Sequence, residues 1–593
     1  MNQIKHNLEL PKSIYTPLWI FYLACSFILF LSLIIFTHQI DASTNIVKDT
    51  SILLTESMLL MSPAIFAGKR WRWIVCVIAV LCNLFMLVNL DYSRYWQDLI
   101  PFSSIFNKSS YNTIVLKSSV TYLRLSDTIF IANSIIPLIL YKVLGINRKD
   151  GLSVITRTVA VAFITALYLI AQALSVNSIK SYYRSIGTTD FTFHDALKSR
   201  QIMQSNRKCM WRGTGMILYT MYQLSHMGDS KGISLTDKEI AKIDKFLNIT
   251  RNSYIQQFGY NRDKNLILII VESLNADVIE KSINGIEITP VLNRLINEKG
   301  TVSNLNVITQ VKDGGSSDGQ MIYNTGLLPI KSGCTAYNFG SNEFPSLVKA
   351  LKPAESLEII SEQGFVWNHF ETSKQYGYDR LFDRIGEGDG ISEHPGADAL
   401  LFRKALHLCK DIAQPFLMEI TTFSMHSPFL DPDATTNKDI DMLKNISMQL
   451  ANYYRMTNYF DTQLGYFING LKENGLYDKS VIVIVSDHNV EISGNGNDYK
   501  NIVFMAVNSG KSERINRTVG QIDVFPTVLD IMGVDNKTWR GLGISMFDKG
   551  NTSAFDAYGN RHGNSSDNIE MHQREAWEIS DMIIRSNYFS DKK

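Results

Sequence analysis

The sequence predicts a bundle of about five transmembrane helices followed by an α/β domain with a mostly parallel central sheet. Long apolar segments are concentrated in the first 176 residues of the 593-residue chain. From Asn265 onward, short apolar strands alternate with helical patterns over roughly 330 residues, which is typical of a parallel sheet covered by helices. We therefore expect a transmembrane domain at 1–176, an extracytoplasmic linker with helices at 177–260 and the α/β domain at 261–593.

The N-terminal part contains five apolar segments that are candidates for membrane crossing. The first has twenty consecutive uncharged residues, which is enough for a transmembrane helix. The second contains Glu56 and the fourth contains Pro137. The five segments are 17–36, 53–67, 74–90, 129–143 and 159–176.

Basic residues set the expected orientation of these segments. Short loops with Lys69, Arg70 and Arg72, and with Arg148 and Lys149, fall on the same side of the five crossings. Because such basic loops face the cytoplasm, the chain after the fifth segment is expected outside it. The formal net charge is +1, so there is no overall basic field that would suggest a nucleic-acid partner.

The α/β domain is expected to consist of short buried strands and intervening helices. Buried parallel strands read as continuous apolar runs. Runs of this kind lie at 265–271, 357–360, 416–420, 481–485 and 502–507. Apolar residues at helical spacing occur at 290–299, 344–351, 443–474 and 523–532. Within the linker, a helix is expected to open at Thr236-Asp237-Lys238-Glu239.

Charged residues follow directly after two of the predicted strands. Glu272 follows the first strand, and Asp487 and His488 follow the fourth. Since ligand sites in open α/β sheets lie outside the carboxyl ends of the strands, we expect these side chains around one divalent metal ion. Carboxylate and imidazole ligands suit Mn²⁺ or Zn²⁺. The strand at 416–420 leads through a short turn to His426, which is expected at the same edge.

Two adjacent serines are candidates for a nucleophile beside this metal. Gly314 and Gly315 lead into Ser316 and Ser317, and a helical pattern follows. Ser317 with Gln320 matches the S-x-x-Q capping box, so Ser317 is expected to cap the helix and Ser316 to lie just before it. A helix N-terminus stabilises a phosphoryl group, and metal coordination activates a hydroxyl. Ser316 is therefore favoured, and Ser317 is the alternative.

Several short segments share their order along the chain with a known family. They are Val271-Glu272-Ser273, Ile288-Thr289-Pro290-Val291-Leu292, Gly315-Ser316-Ser317-Asp318, His426-Ser427-Pro428-Phe429 and Ser486-Asp487-His488. In this order they resemble lipoteichoic acid synthases and related membrane-bound phosphoglycerol transferases of the alkaline phosphatase/sulfatase superfamily. The resemblance covers nearly the whole chain and implies a sulfatase-like fold for the exported domain.

The resemblance also implies a role for each residue of the predicted metal site. Glu272, Ser316, Asp487 and His488 would hold the metal. Ser316 would in addition be the nucleophile, at a position where the family usually has threonine.

The same resemblance implies three substrate-binding residues. Trp367 and His369 align with a Trp-Asn-Arg segment that binds the glycerol-phosphate head group. His369 therefore replaces an arginine, which removes a bidentate phosphate clamp. His426 matches a histidine that contacts the substrate phosphate.

The implied protein is a multi-pass transferase of the bacterial cell (inner) membrane with an extracytoplasmic catalytic domain. It would move phosphoglycerol from phosphatidylglycerol to a surface glycan or lipid acceptor through a covalent Ser316 intermediate, with one Mn²⁺ or Zn²⁺. The replacement at His369 keeps a phosphoethanolamine transferase, using phosphatidylethanolamine, as an alternative. A phosphodiesterase would differ only in its acceptor, and a sulfatase is disfavoured because no C-x-P-x-R or S-x-P-x-R segment is present. A non-catalytic binding protein is disfavoured because all four metal-site residue types are present.

Overall fold

The chain forms two compact units, Met1–Phe106 with Tyr111–Met227 and Asn107–Ser110 with Gly228–Lys593. In the computed structural model, the described residues are 12–40, 46–66, 72–96, 99–100, 102, 124–144, 153–185, 207–225, 232–252, 261–362, 364, 366–383, 398–427, 429, 446–490, 492, 501–535 and 538–590. The basic loop residues Lys69, Arg70, Arg148 and Lys149 lie outside the described residues.

The described part of the first unit is helical. Its helices are α1 (Lys12–Ile40), α2 (Ile46–Met61), α3 (Pro63–Phe66), α4 (Ile74–Trp96), α5 (Thr128–Val143), α6 (Val154–Ser185) and α7 (Arg207–Ser225). Segments of α1, α4, α5 with its preceding turn, and α6 are long and apolar enough to cross a membrane. The second predicted segment forms a shorter apolar helical stretch, Thr50–Phe66, which is divided between α2 and α3. This division lies at Pro63, which has no N–H to continue a helix.

Glu56 has a structural role that the sequence did not predict. It lies within α2, is fully buried, and its carboxylate oxygens accept hydrogen bonds from the backbone N–H groups of Met216 and Ile217, at 2.9 and 2.5 Å. The helix α7 supplies no acceptor for these two N–H groups, because Gly215 interrupts it with φ 73° and ψ −177°. A side chain at Gly215 would collide with the Glu56 carboxylate. The carboxylate therefore caps the start of the second half of this broken helix.

The second unit contains the remaining helices and all the described strands. The helices are α8 (Asp237–Asn252), α9 (Pro290–Ile296), α10 (Ser316–Thr325), α11 (Thr335–Phe339), α12 (Leu347–Leu351), α13 (His369–Tyr376), α14 (Asp398–Leu408), α15 (Met448–Glu473), α16 (Val524–Ile531) and α17 (Asp567–Ser586). The residues predicted as a linker at 177–260 are thus divided, with α7 in the first unit and α8 in the second.

The strands of the second unit form one large sheet and two small hairpins. The strands are β1 (Asn265–Val271), β2 (Ser282–Ile283), β3 (Ile286–Glu287), β4 (Val302–Ile308), β5 (Glu355–Ile360), β6 (Arg380–Phe382), β7 (Phe416–Thr421), β8 (Ser480–Ser486), β9 (Asn501–Val507), β10 (Glu513–Ile515), β11 (Val519–Gly520), β12 (Ser553–Phe555) and β13 (Arg561–Gly563). The large sheet has the order β10-β4-β9-β8-β1-β7-β5-β6, and β11 also pairs with β4. Only β9 runs antiparallel to its neighbours among the described strands of this sheet. The mostly parallel sheet predicted from the sequence is confirmed.

The sheet separates two apolar cores. Along β1, residues 266, 268 and 270 belong to one core and residues 267, 269 and 271 to the other. Such alternation follows from the period of two along a strand. Because both faces are covered, β1 and β8 are buried at every position, which explains why they read as continuous apolar runs. The four central parallel strands β8, β1, β7 and β5 end at one edge, where the predicted site residues follow.

Candidate active site

Two strand ends bring the predicted acidic residues together. In the parallel pair of β1 and β8, Val271 lies opposite Ser486, so the next residues along each strand, Glu272 and Asp487, leave the sheet side by side. The N–H of Asp487 donates to Val271 O at 3.1 Å, which extends the ladder by one step. The ligand atoms of Glu272, Asp487 and His488 all lie within 4.8 Å of one another. The sequence prediction that these residues share one site is therefore matched by the geometry.

The hydroxyl of Ser316 faces this group. Its Oγ donates to Glu272 Oε2 at 3.1 Å and lies 3.3 Å from His488 Nε2. His488 Nε2 lies 3.6 Å from Glu272 Oε1 and 3.5 Å from Asp487 Oδ2. Two carboxylates, one imidazole and one hydroxyl thus converge in a buried space at the end of the sheet.

The donors of this group fit a divalent cation. Asp487 Oδ2 is buried and accepts no hydrogen bond from the described residues. His488 Nδ1 lies 3.0 Å from the carbonyl oxygen of Asn489. Since a carbonyl can only accept, Nδ1 carries the hydrogen and Nε2 presents its lone pair to the site, as in a metal-ligating histidine. Glu272, Asp487 and His488 could therefore hold a metal ion.

The pKa of Glu272 is lowered and the pKa of Asp487 is raised, through burial and the charges around each carboxyl. For Glu272, burial opposes ionisation, but the charges of His488 and His426 and the hydrogen bonds from its neighbours outweigh it, so its pKa is lowered. For Asp487, burial and the charge of Glu272 both act to raise the pKa. Burial lowers the pKa of His488, but the charges of Asp487 and Glu272 dominate and raise it. A bound cation would favour the ionised form of both carboxyls.

The backbone after β1 is bent to hold Glu272 in place. Ser273 has φ 54°, which is rare for a residue other than glycine and costs about 1–3 kcal/mol. Its N–H donates to Asp487 Oδ1 at 2.8 Å, and its hydroxyl donates to Glu272 Oε1 at 2.6 Å. The hydroxyl of Tyr453 in turn donates to Ser273 O at 3.0 Å. Ser273 therefore joins the two carboxylates, a role that the sequence did not predict.

The prediction that Ser317 caps a helix with Gln320 as its capping-box partner is wrong. Helix α10 begins at Ser316, and Ser317 does not cap it. The Ser317 hydroxyl donates instead to Gly314 O at 2.8 Å. The carboxylate of Asp318 orders the loop, because its Oδ2 accepts from the N–H groups of Lys312 and Gly314, both at 2.9 Å.

Ser316 consequently sits at the first position of α10 rather than before it. Helix α10 also approaches β8 closely at Gly319, where a Cβ atom would collide with the backbone carbonyl of Asp487. This close packing places the first turn of the helix against the residues that follow β8, and Ser316 beside His488.

His426 lies at the same edge of the sheet, after β7. Its ring stacks on Phe423 with ring centres 5.2 Å apart, and its Nδ1 lies 2.7 Å from Ser427 O. The loop is held by Asp398 at the start of α14, whose Oδ1 accepts from the N–H groups of Phe423 and Ser424 at 2.8 and 3.1 Å. Asp398 is fully buried. No predicted strand or helix contained this residue, so its role could not be expected from the sequence.

Trp367 lies in a tight turn before α13, and His369 is the first residue of that helix. The Trp367 ring stacks on Tyr337 with centres 5.7 Å apart, and the backbone N–H of Trp367 donates to the Tyr337 hydroxyl at 2.7 Å. His369 is buried, and its Nδ1 lies 2.7 Å from Glu358 Oε1. Burial lowers the pKa of His369, but the hydrogen bond and charge of Glu358 outweigh it and raise the pKa.

Comparison with known proteins found one matching family model within the second unit and relatives that align with most of the chain. Residues 264–534 match the family model named Sulfatase. The chain is 25% identical over 526 residues to lipoteichoic acid synthase 2 of Bacillus subtilis (strain 168), covering 82% of this chain and 76% of the relative. It is 23% identical over 553 residues to lipoteichoic acid synthase of Staphylococcus aureus (strain USA300), covering 84% and 80%. The crystal structure of the lipoteichoic acid synthase LtaP from Listeria monocytogenes aligns over 98% of its own length and 57% of this chain, with 22% identity and a TM-score of 0.49.

Proposed function

The chain carries a sulfatase domain and is a homologue of lipoteichoic acid synthases, and we propose that it is a metal-dependent phosphoglycerol transferase of the cell membrane. The donor is phosphatidylglycerol and the acceptor is a hydroxyl of a surface glycan or lipid. The helices of the first unit that are long enough to cross a membrane keep the enzyme beside a donor that stays in the bilayer. The catalytic domain works outside the cytoplasm of a bacterial cell, at its inner membrane.

One observation carries this proposal: the Ser316 hydroxyl lies 3.1 Å from Glu272 Oε2 and 3.3 Å from His488 Nε2. A hydroxyl held against a carboxylate and an imidazole, with the second carboxylate of Asp487 beside that imidazole, is the arrangement expected for a metal-activated nucleophile. Glu272, Ser316, Asp487 and His488 would hold one divalent ion, Mn²⁺ or Zn²⁺. When bound, the ion supplies charge stabilisation to the transferring phosphoryl group and lowers the pKa of the serine hydroxyl.

The reaction proceeds in two displacements at phosphorus. In the first, Ser316 Oγ loses its proton and forms a bond to phosphorus, while the bond to the diacylglycerol oxygen breaks and diacylglycerol leaves as the alcohol. In the second, an acceptor hydroxyl loses its proton and attacks the same phosphorus. The bond to Ser316 then breaks, and the serine regains a proton.

Three residues are proposed to bind the head group. His426 would contact a phosphate oxygen, and Trp367 would pack against the glycerol. His369 would reach the substrate only through Nε2, because its Nδ1 is engaged by Glu358. A histidine held in this way offers less to a phosphate than the arginine that the family resemblance implies at this position.

A phosphoethanolamine transferase is the second candidate, because His369 stands where the family resemblance implies an arginine, and Glu362 would be the partner of the ammonium group. Glu362 follows β5, and its charge interacts with those of Glu272, His369 and His426. Burial raises the pKa of Glu362, and a positively charged partner would stabilise its ionised form. The ammonium group of phosphatidylethanolamine is such a partner, whereas the hydroxyls of glycerol are not charged.

The decisive experiment identifies the group attached to Ser316. The full-length protein with Mn²⁺ or Zn²⁺ is incubated with vesicles of phosphatidylglycerol or of phosphatidylethanolamine, without acceptor, and the acid-quenched protein is digested for mass spectrometry. We expect the Ser316 peptide to gain glycerol phosphate less one water, and diacylglycerol to be released. A phosphoethanolamine adduct would select the second candidate. Rapid release of the free head group into water would indicate a hydrolase, and the absence of both adduct and diacylglycerol with either lipid would overturn the proposal.

A further inference from the structure

A buried polar network lies between the nucleophile helix and the sheet. Glu358 on β5 and Glu419 on β7 are opposite each other in the parallel pair, and both are fully buried beside one of the two apolar cores. Two carboxyls in such a place cost free energy unless every acceptor finds a donor. Their partners therefore show what the network holds together.

Gln320 connects the two carboxylates to the helix of the nucleophile. Its Nε2 donates to Glu358 Oε1 at 2.7 Å and to Glu419 Oε1 at 2.6 Å. Gln320 follows Ser316 by four residues in α10, which is one helical turn. Asn324, a further turn along, donates to Glu419 Oε2 at 2.6 Å. The inner side of α10 is thus tied to both strands by directed hydrogen bonds.

The same Glu358 oxygen holds the turn that carries Trp367. His369 Nδ1 lies 2.7 Å from Glu358 Oε1, so this single oxygen accepts from Gln320 and from His369. Trp367 and Asn368 have φ of 51° and 58°. Left-handed backbone is unfavourable for residues other than glycine, and it persists only where surrounding contacts enforce it.

Trp367, Asn368 and the next residue, His369, each form a hydrogen bond that holds this turn. Trp367 N–H donates to the Tyr337 hydroxyl at 2.7 Å, Asn368 Nδ2 donates to Ala336 O at 2.8 Å, and His369 binds Glu358. The first two hydrogen bonds lead to α11, and only the third leads to the sheet and to Gln320. The position of Trp367 relative to Ser316 therefore depends on the shared Glu358 oxygen.

We propose that Gln320, Glu358 and His369 are positioning residues that set the spacing between the Ser316 hydroxyl and the Trp367 ring, and thereby the length of head group that the enzyme accepts. The inference rests on the proposed function, in which phosphorus is attached to Ser316 and the far end of the head group meets Trp367. None of the three residues needs to touch the reacting atoms. If the network only stabilised the fold, its loss would lower the melting temperature without changing the position of the Trp367 ring relative to the Ser316 hydroxyl.

Kinetics of three variants test the spacing in the full-length protein, with vesicles of phosphatidylglycerol as the donor. Gln320→Met removes both donors of the amide at similar volume, and we expect kcat to fall at least about tenfold. His369→Met releases the turn, and we expect KM for the vesicles to rise at least about tenfold with a smaller change in kcat. Because both act through one oxygen, the double variant should lose less than the product of the two single losses.

Two matched variants separate positioning from stability. Glu358→Gln keeps an acceptor oxygen and should retain most of the activity, whereas Glu358→Leu should combine both defects. Thr325→Val is the control on the same helix, because Thr325 is buried and its hydroxyl donates to Met321 O at 2.7 Å, away from the network. It should lower the melting temperature without changing kcat or KM. Strictly multiplicative losses in the double variant, or equal kinetic losses in Thr325→Val, would overturn the proposal.

Hydrogen–deuterium exchange gives a readout that needs no turnover. In Gln320→Met, amides in 366–376 should exchange faster than in the wild type, and in His369→Met amides in 316–325 should do so, while Thr325→Val should leave 366–376 unchanged. Unchanged exchange of 366–376 in Gln320→Met and of 316–325 in His369→Met would contradict a connection between these segments through Glu358. If the wild type turns over neither lipid, the proposed function fails, and the exchange data still decide whether the two places are linked.

Discussion

Ser316 and Ser317 are adjacent in the chain, but their hydroxyls have different partners. The Ser316 hydroxyl faces Glu272 and His488, whereas the Ser317 hydroxyl is buried and donates to the backbone carbonyl of Gly314. Both serines lie in the first turn of α10, where successive side chains point about 100° apart around the axis. Only one of the two can therefore face the end of the sheet.

Replacement of each serine by alanine tests this difference. Ser316→Ala should lower lipid turnover by at least about a thousandfold, as expected for loss of a nucleophile, and should leave no adduct on the loop peptide. Ser317→Ala should lower the free energy of unfolding by about 1 kcal/mol, through one lost hydrogen bond, and should retain turnover within a few-fold. Diacylglycerol release and peptide mass measure the outcome. An adduct on Ser317, or an active Ser316→Ala protein, would remove Ser316 from the mechanism.

At the scale of elements, the starts of α8 and α10 show that the same capping-box pattern forms in one helix and not in the other. The sequence of α8 opens with Thr236 and Glu239, and the structure contains the reciprocal bonds of a capping box, Thr236 N–H to Glu239 Oε2 at 2.8 Å and Glu239 N–H to Thr236 Oγ1 at 3.4 Å. Ser317 and Gln320 have the same spacing and form no such box. The Gln320 amide is bound by two carboxylates on other strands, so tertiary contacts override the local motif.

The pairing of β5 with β7 predicts a pH dependence of stability. Burial, and then the charge of Glu358, raise the pKa of Glu419 to about 7. In the unfolded chain this carboxyl titrates at about 4.3. A pKa that is higher in the folded state contributes stability below the unfolded value, and this contribution is lost as the pH rises through about 7.

Thermal unfolding of the detergent-solubilised full-length protein, in a chelator at pH 5 and pH 8, measures this effect. The wild type should be less stable at pH 8 by about 1–3 kcal/mol. Glu419→Gln cannot ionise and should lose clearly less stability over the same range. Equal losses in the two proteins would show that Glu419 is not the titrating group.

At the scale of the whole molecule, the candidate site joins parts of the catalytic domain that are distant in the chain. Glu272 follows β1, Ser316 opens α10, and Asp487 with His488 follows β8. A metal ion held by these residues closes loops of up to roughly two hundred residues, which favours the folded state most when the loops are long. Binding to the folded state alone also raises stability, by about 2.7 kcal/mol at a free concentration of one hundred times Kd.

Metal removal should therefore be visible in the stability of the whole chain. We expect a chelator to lower the melting temperature of the full-length protein by several degrees, and Mn²⁺ or Zn²⁺ to restore it. Asp487→Asn keeps the oxygen that accepts from Ser273 and His488 but loses the second carboxylate oxygen, so its melting temperature should respond little to either treatment. A variant that responds as the wild type does would exclude Asp487 as a ligand.

The sequence alone determined the elements whose cause is local. Continuous apolar runs predicted the strands at 265–271, 357–360, 416–420, 481–485 and 502–507, and each is a strand of the large sheet in the structure. The residues that follow β1 and β8 could be assigned to one site because parallel strands end at a common edge. Strand β4 was missed because polar residues interrupt its apolar positions.

Only the tertiary structure decided which side chains meet across elements. Asp318 orders the nucleophile loop, Ser273 joins the two carboxylates, and Glu358 with Glu419 binds Gln320. Hydrophobic periodicity shows which face of a strand or helix is buried, but a polar partner on that face depends on strand order and on crossovers between distant segments. Those partners leave the Ser316 hydroxyl against Glu272 and His488 and the Ser317 hydroxyl against Gly314 O, since buried polar groups bind the donor or acceptor that the fold places beside them.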